Sequence, residues 1–383
     1  MMRRSRQKRI GSVTQSLNVA AEVQSLESRS LPTGTVTASL SNGNLTIGGD
    51  NLDNSIRIEV RTTGIYLTGV QDTDSQPATF TKIKFGGTTY EAGQEVLLTE
   101  SLSLKNLSVL MRGGNDNVRM EVGVAANPAI LGNLGNSPDA TITGRVRINL
   151  GQGDDHSVLL LNNGMLTIGG NLEGDLENGD DCFVVGPAEA FADGESEIPD
   201  PLPINVGGNI IVLGRLGEDV ITLAGTEVQR NVTIKGDDHA DSISVIGATI
   251  HGNLLIDGNK GNDDLLLALA SDGGTTTIRG DSGNDRVVIA GVESSKNVTV
   301  SLGSGEDQLA VSRLTVAESG RITFDGGNGS DSLMSAEEVT DPPVKLKSIE
   351  DPAAEIDVET IITTLEGLTI ECLDATAPPI QQP

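Results

Sequence analysis

The chain has 383 residues, of which 47 are glycine and 2 % are aromatic, and tryptophan is absent. A globular core of this size normally contains more aromatic side chains, so the composition favours a narrow, repetitive core of Val, Ile and Leu. With 26 basic and 54 acidic residues the formal net charge is −28, which argues against a nucleic-acid partner. Such acidity favours solubility and divalent-cation binding, and it would also keep a repetitive β-protein from aggregating.

The first 33 residues form a basic segment, with five basic residues among positions 3–9 and no acidic residue before Glu22. Residues 10–21 are too polar for the apolar region of a secretory signal, and the alternative is a disordered basic tail. Residues 26–31, Leu-Glu-Ser-Arg-Ser-Leu, resemble the Leu-Glu-x-Arg-x-Leu tag near the N-terminus of planctomycete surface and secreted proteins, which often precedes β-rich repeats. This resemblance implies export and an extracellular or cell-surface location.

A β-rich pattern begins at Thr35. Residues 45–50, Leu-Thr-Ile-Gly-Gly-Asp, are echoed by Leu-Thr-Ile-Gly-Gly-Asn at residues 166–171, so we expect the first coil of a repeat near residue 45. Residues 61–105 contain strand-like stretches without a fixed register. We interpret them as an N-terminal cap and early coils.

A turn of the form Gly-x-Asp recurs at a step of 22 residues between positions 219 and 307, and again 24 residues later. Three earlier turns share its internal pattern, although the spacing between them varies. His239 takes the place of the glycine in one turn. A fixed period of this size indicates that one structural unit is stacked many times. The nine aspartates of the repeat are Asp116, Asp155, Asp181, Asp219, Asp241, Asp263, Asp285, Asp307 and Asp331.

Apolar residues alternate with polar ones on both sides of each turn, as in Val232 and Ile234 before Asp241 and Ile243 and Val245 after it. Such alternation indicates strands. A unit of 22 residues has no room for a crossover helix, so the chain must return to its start by two or three strands and turns. We therefore predict an all-β fold, a single-stranded parallel β-helix (β-solenoid) with about 22 residues per coil. Propeller blades are longer, at about 40–50 residues, and sandwiches do not keep a constant register.

The position ten residues before each aspartate is most often asparagine. In a stacked solenoid these side chains would form a ladder, and we expect each amide to bond to the amides above and below it. The asparagines at this position are Asn106, Asn171, Asn209, Asn231, Asn253 and Asn297.

The spacing of the turns divides the chain into segments. The steps from Asp116 to Asp155 and from Asp181 to Asp219 are 39 and 38 residues long, and their excess over 22 is expected in proline-containing lateral loops near residues 121–142 and 186–203. The repeat stops after Leu333, and we predict a C-terminal cap from about residue 344, with strand-like pieces at 356–363 and 368–373. The β-helix would then span residues 34–374, and residues 375–383 would form a loose tail. Loops on a rigid scaffold are where we would expect a binding site, if one exists beyond the ladder.

The two cysteines, Cys182 and Cys372, do not make a disulfide framework. In a solenoid they would lie many coils apart. We therefore expect no bond between them unless the C-terminus folds back.

Residues 325–333, Asp-Gly-Gly-Asn-Gly-Ser-Asp-Ser-Leu, resemble the calcium-binding nonapeptide of RTX proteins. The resemblance implies that the nine aspartates bind calcium ions between successive turns. RTX turns come every nine residues, whereas here one turn comes every 22, and basic residues such as Lys235, Lys260, Arg279 and Arg286 lie near the turns.

Stacked carboxylates at about 5 Å repel each other by roughly 1 kcal/mol in water and by more in a less polar environment. Three features could offset this repulsion: calcium, hydrogen bonds from the N–H groups of each aspartate's own turn, and the flanking Lys and Arg side chains. The sequence leaves all three open.

The aspartates follow the repeat rather than interrupting it, whereas a catalytic site should appear as an irregular cluster. His156, His239 and His251 are scattered, and no nucleophile motif or P-loop is present. No apolar run reaches the roughly 18 residues of a membrane span. We therefore predict a non-catalytic extracellular or cell-surface solenoid with a structural or adhesive role, stabilised by calcium, whose partners are cell-surface or matrix polysaccharide or protein. The alternative is a polysaccharide-binding or polysaccharide-degrading β-helix, similar to pectate lyases.

Overall fold

Three short strands make up each coil, and successive coils stack in parallel register, which confirms the predicted all-β parallel β-helix. The computed structural model describes residues 34–72, 79–124, 139–191, 202–335, 344–349, 365, 367–369 and 372–373. The basic segment 1–33, the strand-like piece 356–363 and the tail 375–383 lie outside the described residues. Within the described part of the chain, no helix is long and apolar enough to cross a membrane.

The first strands belong mainly to the N-terminal part: β1 (Thr35–Ser41), β2 (Asn44–Gly48), β3 (Ser55–Arg61), β4 (Gly64–Gly69), β5 (Gln71–Asp72), β6 (Thr79–Phe80), β7 (Lys82–Phe85), β8 (Thr88–Tyr90) and β9 (Glu95–Thr99). The coils continue with β10 (Ser103–Leu104), β11 (Asn106–Leu110), β12 (Asn117–Val122), β13 (Ala140–Ile142), β14 (Val146–Gln152), β15 (His156–Leu161), β16 (Leu166–Ile168), β17 (Leu172–Asn178), β18 (Cys182–Pro187), β19 (Ile204–Val206), β20 (Ile210–Leu216), β21 (Val220–Ala224), β22 (Thr226–Val228), β23 (Val232–Asp238), β24 (Ser242–Ile246), β25 (Thr249–Ile250), β26 (Leu254–Lys260), β27 (Asp264–Ala268), β28 (Ser271–Asp272), β29 (Thr276–Ser282), β30 (Arg286–Ser294), β31 (Val298–Gly305), β32 (Gln308–Val316), β33 (Ile322–Gly329), β34 (Ser332–Ser335) and β35 (Val344–Lys347). A short 3-10 helix covers Ala188–Phe191.

The coils present three faces. Face 1 is the stack of strands before the Gly-x-Asp turns, and it runs without interruption from β2 to β35 within a 14-stranded sheet. Face 2 is the stack that follows the turns, from β3 to β34, and face 3 is the stack of short strands from β10 to the last residues of β32. Faces 2 and 3 join in one 19-stranded sheet because β30 and β32 each extend through both.

The pairing register follows the period of the sequence. On face 1, Val232 pairs with Leu254 and Leu254 with Thr276, so each partner lies 22 residues further along the chain. Inward positions in each stack carry Val, Ile and Leu, and these residues form one continuous core along the solenoid. Because side chains alternate across a strand, a shift by one residue would turn this whole set outward, and this fixes the register.

Antiparallel strands close the N-terminal end. β1 pairs with β2, and β4 pairs with β3 and with β9, so the described residues of 61–105 that precede β10 form a cap rather than early coils. Such pairing covers strand edges that would otherwise be open to other chains. The first coil does lie near residue 45, but the sequence echo does not mark equivalent positions. Residues 45–47 belong to face 1, where they pair with β11, whereas residues 166–168 belong to face 3.

Both predicted lateral insertions leave the solenoid at one corner. Val122, Leu161 and Pro187 are in register at the end of face 2, and Ala140, Leu166 and Ile204 are in register at the start of face 3. The stems of the two insertions are thus separated by a single coil. Their central parts, residues 125–138 and 192–201, lie outside the described residues.

The C-terminal residues are helical where described, at 365, 367–369 and 372–373, so the expected strand at 368–373 is wrong. They form a strap on the outer side of face 2, which we call the C-terminal strap. Leu365 is 2 % exposed and packs on Leu266, Val288 and Ala310. Cys372 forms a disulfide with Cys182. The expectation of no bond is therefore corrected: the C-terminus does fold back, and this brings the two cysteines together.

Candidate functional site: the aspartate ladder

All nine predicted aspartates lie at the corner between face 1 and face 2, and their side chains are buried. Their exposed fractions are 0 or 1 %. Because one aspartate comes from each coil, the carboxylates stand in a single row parallel to the solenoid axis, which we call the aspartate ladder.

Each ladder aspartate accepts a hydrogen bond from the preceding coil. The main-chain N–H of Asp219 donates to Oδ1 of Asp241 at 2.9 Å, and that of Asp155 donates to Oδ1 of Asp181 at 2.7 Å. The same contact links every pair from Asp116 to Asp331, at 2.6 to 3.2 Å. The hypothesis that each aspartate caps its own turn is therefore wrong, because these bonds cross from coil to coil.

The first coil extends the ladder with an asparagine. Asn54 stands at the ladder position, and its main-chain N–H donates to Oδ1 of Asp116 at 2.7 Å. Sequence reasoning missed this residue because 62 positions separate it from Asp116. Asn44, ten residues before Asn54, was the available signal, since it stands at the asparagine-ladder position and accepts a bond from Asn106 Nδ2 at 2.7 Å.

The turn glycine permits the close stacking of the turns. Gly283 has a φ of +142°, and a Cβ there would lie 1.5 Å from the carbonyl oxygen of Gly261 in the preceding coil. Glycine is favoured at Gly283 because a side chain at this φ would be strained and would meet the backbone of the preceding coil. His239 occupies the equivalent position with a φ of +86°, and its side chain is exposed.

The asparagines form a second ladder at the corner between face 3 and face 1. Oδ1 of Asn231 accepts the main-chain N–H of Asn253 at 2.9 Å, and Oδ1 of Asn253 accepts that of Thr275 at 2.9 Å. The expected amide-to-amide ladder is therefore corrected for these residues, since the side chain bonds to the backbone of the next coil. Asn231 and Asn253 are exposed rather than buried.

The second carboxylate oxygens of the aspartate ladder are the unusual feature of the site. For the eight aspartates from Asp116 to Asp307, Oδ2 is buried and has no hydrogen-bond partner. Burial, together with the neighbouring carboxylates, raises the pKa of Asp241 to about 9, although the N–H of Asp219 acts in the opposite direction. Burial likewise raises the pKa of the other seven, to values between about 6 and about 8.

Calcium does not fit this arrangement. It requires about six to eight oxygen ligands at roughly 2.3–2.6 Å, whereas the ladder offers one unpartnered oxygen per coil, with coils roughly 4.8 Å apart. The oxygens also lie against backbone, since a Cβ at Gly258 would be 2.2 Å from Oδ2 of Asp263. Among the described residues, no group of three or more His, Cys, Asp or Glu side chains could hold a metal ion. Protonation of the carboxyls whose pKa is raised most, such as that of Asp241, removes negative charge from the row without any further ligand.

The basic residues near the turns pair elsewhere. Lys235 contacts Asp257 at 3.2 Å, and Lys260 contacts Asp238 at 2.7 Å. Arg286 pairs with Asp264, the residue that follows a ladder aspartate. The ion pairs among the described residues do not involve the ladder carboxylates from Asp116 to Asp307. The Lys and Arg side chains near the turns therefore do not offset the repulsion between these carboxylates by direct contact.

One polar cluster interrupts the apolar core near face 3. Asp272 and Ser294 stand on successive coils at the inward position that carries Ile250 in the coil before them and Val316 in the coil after them, and Asp272 is 6 % exposed. Its Oδ2 accepts a bond from Thr276 Oγ1 at 2.7 Å, and its Oδ1 accepts one from Ser294 Oγ at 3.1 Å. Burial raises the pKa of Asp272, while these hydroxyls lower it.

An open groove of about 450 Å³ lies over this cluster. Its wall carries several hydroxyls, from Thr249, Ser271, Ser295 and Thr315 among others, and it includes Glu293. His251 also lines the groove, and its Nε2 lies 3.0 Å from Oε1 of Glu227. The sequence carries one signal for this group, because Asp272 breaks the inward apolar column of the repeat.

Comparison with known proteins gives no match to a family model, to a curated protein or to a solved structure.

Proposed function

We propose that the protein is a non-catalytic extracellular or cell-surface solenoid with a structural or adhesive role. The observation that carries this proposal is the disulfide between Cys182 and Cys372. Disulfides persist in oxidising compartments and are rare in the cytosol. The bond thus agrees with the export that residues 26–31 imply by resemblance.

The outer surface of face 1 supports a scaffold role. Its strands stay in register from β2 to β35. Charges of opposite sign alternate along it, as in Lys235, Asp257 and Arg279 on successive coils. A regular polar surface of this kind suits repeated contacts with polysaccharide or protein at a cell surface or in a matrix.

Localisation and thiol state can be tested together in the native host. Intact cells are treated with a membrane-impermeant biotin reagent, and a thiol-reactive polyethylene glycol then reports free cysteines under denaturing conditions. We expect biotinylation in intact cells and no thiol reaction until a reductant is added. The Cys182→Ser/Cys372→Ser double variant controls for background labelling. Protein that is protected until lysis and carries two free thiols would overturn the proposal.

A second candidate function is carbohydrate binding, and the groove over Asp272 favours it. The hydroxyls of Thr249 and Ser271 lie 3.4 Å apart on successive coils, and they can bond to a hydroxylated chain laid along the solenoid. The acidic lining by Glu293 favours a neutral chain over an anionic one. Notably, this groove is on face 3 and does not involve the lateral loops where a site was expected.

Binding to neutral and acidic polysaccharides by affinity electrophoresis tests this candidate. Neutral polysaccharide should slow the migration of the unmodified protein but not that of Ser271→Arg, in which a large side chain blocks the groove. Thr233→Arg is the control, because it places the same side chain on the outside of face 1, and it should be slowed like the unmodified protein. Equal behaviour of the two variants, or no retardation of the unmodified protein, would refute it.

A further inference from the structure

The C-terminal strap contacts coils that are far apart along the solenoid. Leu365 packs on Ala310, Val288 and Leu266, which come from three successive coils. The Thr369 hydroxyl lies 2.9 Å from that of Thr222, in a coil nearer the N-terminus.

The end of the strap reaches still further back. Cys372 bonds to Cys182, and the carbonyl oxygen of Leu373 accepts a bond from Arg119 Nη1 at 3.2 Å. The strap therefore runs opposite to the direction in which the coils are added.

The disulfide closes a loop of the chain, because its cysteines are 190 residues apart. That loop contains the coils of Asp219 through Asp331. A pull on any residue after Leu373 is transmitted through the two sulfur atoms to the backbone at Cys182. The residues between the cysteines form a second, much longer path between the same two points, and a longer path stays slack while the shorter path through the sulfur atoms is taut.

We infer that the protein is a tension-bearing element in which the C-terminal strap diverts load around the C-terminal coils. This inference rests on the proposed structural or adhesive function and gives it a mechanical form. In a solenoid each coil contacts only its neighbours, so a pull on the last coil would peel the coils one after another. The strap delivers the load to Cys182, which lies in β18 with paired coils on both sides.

Packing around the load point fits this role. Cys182, Val184, Val158 and Leu160 form a buried cluster with Cys372 on the outer side of face 2. The half-buried Phe191, in the short helix after β18, also packs against this cluster. The disulfide is thus set in a packed apolar environment rather than on an open edge.

Single-molecule force spectroscopy of the full chain, held by both termini, tests the inference. The oxidised protein should extend by roughly 630–680 Å less than the Cys372→Ser variant, which is the length of 190 residues at about 3.3–3.6 Å each. Protein reduced before the experiment is the second comparison, and it should match Cys372→Ser even if that variant folds poorly. Equal extension of oxidised and reduced protein would overturn the inference.

A second stage asks whether the shielded coils stay folded under load. Reductant is added while the oxidised molecule is held extended. If the coils are still folded, the molecule should then lengthen in discrete steps of roughly 73–79 Å, because each step unfolds one coil of 22 residues. Release of the whole loop in one smooth step would show that those coils had already unfolded, and would refute shielding. The force experiments use protein oxidised in vitro, so an intracellular location in the host would not change their results, and the two proposals can fail separately.

Discussion

The main-chain N–H of Asp241 donates to Oδ1 of Asp263, one coil later, at 2.8 Å. The asparagine ladder runs in the opposite sense, since the N–H of Asn253 donates to Oδ1 of Asn231, one coil earlier. The coils of Asp241 and Asp263 are therefore tied together at two corners by side chains reaching in opposite directions. These bonds fix the stacking register at the turns, where regular strand pairing is absent.

The stability of the protein should fall as pH rises from about 4 to about 9. Folded-state pKa values of about 6 to about 9 exceed the ordinary aspartate value of 3.8, so the folded state holds protons that the unfolded state releases. This contribution is fully present below the unfolded pKa and is lost as pH rises through the folded values, by up to about 1.4 kcal/mol per pH unit for each group. Urea unfolding at pH 5, 7 and 9 measures it. Constant or rising stability over this range would contradict protonation of the ladder.

A matched pair of variants separates the ladder from general charge repulsion. Burial raises the pKa of Asp181 to about 8, whereas Asp180, next to it in the same turn, is exposed. Asp181→Asn should reduce the loss of stability between pH 5 and pH 9, because one proton-binding group is removed. Asp180→Asn makes the same chemical substitution at an exposed position of the same turn and should leave the pH dependence close to that of the unmodified protein. If the two variants changed the pH dependence of stability equally, its cause would be net charge rather than the buried ladder.

Calcium should not raise the melting temperature more than magnesium does. The unpartnered ladder oxygens do not converge on a common point, so the folded state gains no specific calcium affinity from them. Thermal unfolding after chelation, and then with millimolar calcium or magnesium, checks this. A calcium-specific rise of several degrees would show that the ladder, or another site, binds the ion.

Loss of an asparagine-ladder side chain should have a modest cost. Asn253→Ala removes the acceptor for the N–H of Thr275, an exposed hydrogen bond of 2.9 Å, and should destabilise by about 0.5–1.5 kcal/mol. Asn253→Asp keeps an acceptor oxygen and should lose less. Denaturant unfolding measures both variants. A loss above about 3 kcal/mol for Asn253→Ala would mean that the amide is buried in the stack.

Shortening the side chain of Leu365, which packs the C-terminal strap on face 2, should lower the stability of the protein considerably. Leu365 is 2 % exposed, so Leu365→Ala should destabilise by about 2–5 kcal/mol through lost contacts and a cavity. Leu346→Ala is the control, because Leu346 is 46 % exposed and its loss should fall within about 0.5 kcal/mol. Both are measured by denaturant unfolding of the oxidised protein. Similar small losses would show that the strap does not pack on face 2.

The period of the aspartates was enough to predict the parallel β-helix, because a 22-residue step with alternation on both sides of the turn admits few other folds. The period could not predict which N–H groups donate hydrogen bonds to the aspartate side chains, since a hydrogen bond within the turn and one between coils require the same residues. Only the stacked backbone shows that the N–H of Asp219 reaches Asp241.

The strap was missed although the sequence carries two signals for it. Outward positions of face 2 are apolar at Val158, Val184 and Leu266, which indicates a strand surface buried on both sides. Leu365, Thr369 and Cys372 follow the i, i+4, i+7 spacing of one helix face. Each signal covers only a few residues, and neither indicates that the outer surface of face 2 and this helix face contact each other. The disulfide forms only because the strap contacts face 2, so it could not be derived from the spacing of the cysteines.

The corner between face 2 and face 3 has a consequence for how this protein can diversify. Two insertions leave the stack there, yet Val122, Leu161 and Pro187 stay paired before them and Ala140, Leu166 and Ile204 stay paired after them. Added length at this corner therefore does not disturb the register of the coils. New peptide segments could be grafted on successive coils at this corner, roughly 4.8 Å apart along the axis, as side-by-side variable loops on a constant frame.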